Sequence, residues 1–68
     1  MRYSDTEYQQ ALAVLAMMGG DFESVAGRRA LAEAEARVPL AWLLRRGFIY
    51  YYRADRAQIT YKGWSVLK

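Results

Sequence analysis

The sequence predicts a mainly α domain with a small β-hairpin: a three-helix core, a two-stranded hairpin and a short closing helix. Three observations carry this. Apolar residues recur at three- and four-residue steps up to Leu44, aromatic and β-branched residues then cluster on both sides of the polar turn Arg53 to Arg56, and Thr60 reads as the cap of a last helix. A chain of 68 residues is one domain, spanning residues 1–68. At this size folding hides only about 60% of the surface exposed by the unfolded chain. The core must carry the fold, because there are no cysteines for disulfides and no histidines for metal. An apolar share of 54%, with six tyrosines and two tryptophans, supplies the material.

Ser4 and Glu7 form a capping-box pattern that starts the first helix near Asp5. Tyr8, Ala11, Leu12, Leu15, Ala16 and Met18 or Gly19 then make one apolar stripe, while Asp5, Gln9 and Gln10 face water. Gly19-Gly20 ends the helix, and Met17 and Met18 beside it read as adaptable core filler. Asp21 or Ser24 can cap a second helix containing Val25, Ala26, Leu31, Ala32 and Ala34, with Gly27 weakening its first turn. Pro39 disfavours helix at Val38, so this helix is expected to end near Arg37, with Arg29, Glu33 and Arg37 as an exposed charge ladder.

Proline suits the first turn of the third helix, Pro39 to Arg46, whose Leu40, Leu43 and Leu44 face inward and leave Ala41, Trp42 and Arg45 on other faces. Gly47 supplies the left-handed residue that follows a helix end. Phe48 to Arg53 reads as a strand, with Ile49 and Tyr51 on one face and Phe48, Tyr50 and Tyr52 on the other. Pairing with Ala57 to Thr60 leaves Arg53 to Arg56 as the turn, without an Asn-Gly or Asp-Gly signature. Thr60 caps Tyr61 to Leu67, where Trp64 and Leu67, three apart, dock on the core.

Charge is divided along the chain. Residues 1–36 carry Arg2, Arg28 and Arg29 against six carboxylates, whereas residues 37–68 carry seven cations against Asp55 alone. A basic half of this kind suits phosphate, because neutralising phosphates releases condensed counterions. Enzymatic chemistry is disfavoured. No histidine or cysteine is present, no serine is placed beside an activating base, and Asp21 with Glu23 and Glu33 with Glu35 are two apart, which on a helix splits them between faces. No cofactor is expected. Neither a bilayer-spanning run nor a signal-peptide core is present in MRYSDTEYQQ or beyond, so the expectation is a cytoplasmic protein without a membrane partner.

The stretches LLRRGFIYYY and QITYKGWSVLK resemble the ending of winged helix-turn-helix regulators such as the PadR, MarR and ArsR families. Leu43, Gly47, Ile49, Thr60, Lys62, Gly63 and Leu67 carry the likeness, which covers residues 40–67 best. The resemblance implies that the helix from Pro39 to Arg46 lies in the major groove, with the turn Arg53 to Arg56 beside it. The nucleic-acid-binding residues expected are Arg37, Trp42, Arg45, Arg46, Arg53, Arg56 and Lys62, the partner is duplex DNA, and the expected role is that of a small regulator, as in transcription regulation, or an accessory protein.

A base-reading helix normally starts with Arg, Asn, Gln, Ser or Thr. Here the start is Val38, Pro39, Leu40, Ala41 and Trp42. Two readings stay open: DNA binding with little direct base readout, or a protein-interaction module, such as an inhibitor or adaptor of a virus or mobile element, anchored by Trp42 with its neighbouring arginines. Homodimerisation through the first or last helix is a further expectation, since winged-helix regulators often match palindromic sites. The tyrosine triplet could stack unpaired bases, but two strands are a small platform and at least one tyrosine must belong to the core.

Overall fold

The computed structural model describes residues 2–68. The chain runs α1 (Asp5–Met17), β1 (Asp21–Glu23), α2 (Ser24–Glu33), α3 (Leu40–Arg45), β2 (Ile49–Arg53), β3 (Arg56–Ile59) and α4 (Tyr61–Val66). Four helices pack around a three-stranded antiparallel sheet of order β1-β3-β2.

Local chemistry sets α1. The Ser4 hydroxyl accepts from the Glu7 amide at 3.2 Å while the Glu7 carboxylate accepts from the Ser4 amide at 2.9 Å, satisfying two orphan donors reciprocally. Tyr8, Ala11, Leu12 and Leu15 are the buried stripe. Gly19, at φ 99°, closes the helix with the Gly20 amide on the Leu15 carbonyl and the Gly19 amide on that of Ala16. Met17, expected as core filler, instead projects into solvent at 89% exposure, and only Met18 packs against the core. The stripe has already passed Met17 by, one position short of the inward face.

The hairpin supplies two strands of a three-stranded sheet, with β3 in the middle. Asp21–Glu23 forms a third strand, pairing Phe22 with Ala57, where a helix cap was expected. Phe22 is buried against the helices and has Gly27 beneath its ring, so the inward side chain holds this edge down. Neither Asp21 nor Ser24 caps α2. Glu23 occupies the cap position without a side-chain bond, and Ser24 is the buried first helical residue, whose amide donates to the Asp55 carbonyl at 2.7 Å.

The second helix ends at Glu33, short of Arg37. Glu35 takes φ 56°, with its amide on the Ala32 carbonyl and the Ala36 amide on that of Leu31, the same closure that α1 makes with glycine. Arg37 therefore leaves the expected ladder with Arg29 and Glu33. Val38, Leu40 and Leu43 reach the core, whereas Leu44, expected inward, is 45% exposed because the short α3 turns it to the rim.

Beyond Gly47, at φ 77°, Ile49 is buried and Tyr51 half-buried on the core side of β2, and Tyr50 and Tyr52 face outward. The ladder runs Ile49 opposite Ile59 and Arg53 opposite Arg56, with a bulge between Tyr51 and Arg53. The Thr60 hydroxyl accepts from the Gly63 amide at 3.1 Å and donates to the Gly47 carbonyl at 2.6 Å, which fastens the start of α4 to the end of α3. Leu67 packs on the core as expected. Trp64 stays 40% exposed and covers Gly20.

Candidate functional site

Short α3 and its C-cap hold three of the expected residues, Trp42 and Arg45 within the helix and Arg46 at the cap. The Arg45 guanidinium lies 5.2 Å from the centre of the Trp42 ring, and Arg46 lies 5.4 Å from Tyr8 and 6.0 Å from Phe48. Lys62, brought in by α4, sits 5.5 Å from the same Phe48 ring. These cations are positioned by aromatic faces. Among the described residues none of the three makes an ion pair or a side-chain hydrogen bond, so their N–H donors remain available. Arg53 at the hairpin turn is likewise uncommitted.

Two other expected residues are engaged elsewhere. Arg37 pairs with Glu7 at 3.5 Å while its own side chain stays 73% exposed. Such an exposed pair is weak and breaks at little cost. Arg56 is held more firmly, donating to Asp21 through Nη2 at 2.8 Å and Nε at 3.3 Å, with a further bond to the Tyr52 hydroxyl at 3.0 Å.

Asp21 is the centre of that outer-face network. Its carboxylate also accepts from the Gln58 amide at 3.0 Å and the Tyr52 hydroxyl at 2.7 Å, and the Tyr50 hydroxyl donates to Gln58 at 2.7 Å. The donors from Gln58, Arg56 and Tyr52, in that order, hold its carboxyl down to about 2, and the same contacts, Asp21 first, raise Arg56. Arg56 is thus a structural cation that braces β1 against β3. The two exposed tyrosines are tied at their hydroxyls by this network.

Trp42 is half-buried, its ring 5.5 Å from Tyr3 at 77°. It forms one wall of an open cleft of about 490 Å³ lined by Arg2, Tyr3, Asp5, Tyr8, Trp42 and Arg46. Of these, sequence reasoning singled out only Trp42 and Arg46 as site residues. Tyr8 was legible as a member of the α1 stripe, but the approach of the segment before α1 to α3 has no local signal. Among the described residues, no group of three His, Cys, Asp or Glu side chains could hold a metal ion, and no helix is long and apolar enough to cross a membrane.

No family model, curated protein or solved structure matches the chain.

Proposed function

We propose that this chain is a winged helix-turn-helix domain that binds duplex DNA, with α2 and α3 as the helix pair and the β2–β3 hairpin as the wing. The order of elements, with a strand between the first two helices and a hairpin after the third, supports the fold reading. The observation that carries the functional reading is the availability of Arg45, Arg46, Arg53 and Lys62. These four cations, at the end of α3, the hairpin turn and α4, have no carboxylate partner among the described residues, while Asp21 and Glu7 engage Arg56 and Arg37. Guanidinium groups stacked on rings keep their N–H edges free for bidentate bonds to phosphate.

Base readout is poorly supplied. The exposed side chains of α3 are Ala41, Leu44 and Arg45, so binding is expected to rest on phosphate contacts and to tolerate sequence. The test is the salt dependence of binding to a random duplex. Log affinity should fall steeply with log salt, by about 0.9 per phosphate contacted. Arg53→Ala should reduce that slope by about one. Arg56→Ala, removing a cation already committed to Asp21, should leave the slope nearly unchanged and lower stability instead. A duplex left unshifted by micromolar protein at low salt rejects the reading. Exposure of Leu44 beside Trp42 and Arg45 then favours the second one, a protein partner docked on α3.

A further inference from the structure

We infer that the cleft between the segment preceding α1 and the outer side of α3 is a phosphate-ester site, occupied by one backbone phosphate and its sugar when duplex is bound. The inference rests on the DNA-binding reading for the source of the phosphate, and on the cleft itself for the chemistry.

Tyr8 gives the first indication. The residue is only 4% exposed, within the core, yet its hydroxyl has no hydrogen-bond partner among the described residues. No buried side-chain polar atom is left unsatisfied, so that hydroxyl must reach solvent, and the cleft that Tyr8 lines is the opening we assign to it. A ring buried in the core with an unpartnered polar tip is a fixed donor aimed outward.

The other walls supply donors of the same kind. Arg46 is held over the Tyr8 and Phe48 rings with no carboxylate partner, and the Tyr3 hydroxyl and the Trp42 indole N–H make no hydrogen bond among the described residues. Arg2, exposed, also lines the cleft. The one acidic residue is Asp5, opposed by two arginines. A cleft so rich in donors fits an acceptor-rich anion, and a phosphate ester offers several acceptor oxygens to a guanidinium fork. The volume of about 490 Å³ exceeds what one inorganic anion needs, and the Tyr3 and Trp42 rings offer an apolar wall for the attached sugar. Continuity favours the DNA backbone as its source, because Trp42 also carries Arg45 on the exposed side of α3.

The experiment uses the whole chain with Trp64→Phe, so that Trp42 is the sole tryptophan and its emission reports the cleft. A random duplex, AMP and inorganic phosphate are titrated separately, and Tyr8→Phe, Arg46→Ala and Asp5→Asn are compared. Tyr8→Phe removes one oxygen without emptying the core, so its folding is preserved if Arg46→Ala proves unstable. The expected result is a duplex-induced change in Trp42 emission. Tyr8→Phe should weaken duplex binding about three- to tenfold, the worth of one hydrogen bond. Arg46→Ala should reduce the salt slope by about one, and Asp5→Asn should tighten binding.

Duplex binding that is sensitive to Arg53→Ala but indifferent to Tyr8→Phe and Arg46→Ala overturns the cleft assignment and leaves the DNA reading standing. If duplex fails to bind while AMP changes Trp42 emission in a Tyr8-dependent way, the DNA reading falls and the cleft stands as a phosphate-ester site for free nucleotides. Silence towards all three probes overturns both.

Discussion

Gly63→Ala should destabilise this domain, against the usual gain from replacing glycine in a helix. Gly63 is the third residue of α4 and is buried where that helix crosses the sheet. A β-carbon built there meets the backbone carbonyl oxygen of Phe48 and lies 2.7 Å from Cγ2 of Ile59. Comfortable carbon contacts lie near 3.5 Å or beyond, so α4 would have to lift by roughly 1 Å. Lifting strains the bond from the Thr60 backbone amide to that same Phe48 carbonyl, 2.9 Å, and the one from the Gln9 side-chain Nε2 to the Val66 carbonyl, 3.0 Å. Overpacking of this kind costs about 1–3 kcal/mol, and helix propensity returns at most about 1 kcal/mol. A net loss of about 1–2 kcal/mol lowers the melting temperature by roughly 4–16 °C in a domain of this size. Thermal denaturation followed by far-ultraviolet circular dichroism measures it. Gly19→Ala is the comparison, because there the space is open and only the positive φ opposes a side chain. A Gly63→Ala protein melting at or above wild type would refute the close-approach argument.

Ser4→Ala removes half of the α1 capping box and should cost about 1 kcal/mol, read as a melting temperature lower by about 4–8 °C. Glu35→Gly should be neutral to stabilising by up to about 1 kcal/mol in urea denaturation, because relief of the left-handed backbone exceeds the added freedom of the unfolded chain. The Asp21 carboxyl is held at about 2, below its ordinary 3.8, so its contribution is fully present above about pH 4 and is lost as pH falls towards 2. Urea midpoints for wild type should therefore drop across that window, and Asp21→Asn should show a lower midpoint at neutral pH with a shallower acid decline.

How much was legible in the sequence depends on the range of the interaction involved. The first helix was readable end to end, since Ser4, Glu7, the Tyr8 to Leu15 stripe and Gly19-Gly20 are all near neighbours in the chain. β1 was not, because Asp21 and Glu23 have no strand character and pair only once β3 is in place. The end of α2 was hidden for another reason: Glu35 fills a position that glycine normally marks, so the signal fell through to Pro39. The cations show the same division. Composition located the basic half, and the turn was recognised as exposed. Which arginines are spent depends on residues distant in sequence, as with Arg56 and Asp21, which hydrogen-bond across a separation of 35 positions.

Arg53 and Arg56 face each other across the hairpin and are the same residue type, yet of the two only Arg56 makes an ion pair among the described residues. At the end of α3, Arg45 and the capping residue Arg46 are held by rings instead. The difference matters because an ion-paired guanidinium must surrender its partner before it can neutralise a phosphate, so much of the counterion gain is offset. A stacked guanidinium surrenders nothing, and its reduced side-chain freedom lowers the entropic cost of the contact. The start of α3, poor in base-reading side chains, is therefore compatible with tight binding: affinity needs only donors that are fixed and unspent. What such a surface lacks is discrimination. Under the DNA-binding proposal, any sequence preference has to come from how readily a duplex adapts to the fixed positions of Arg45, Arg46 and the hairpin turn, through groove width and bending rather than hydrogen bonds to bases.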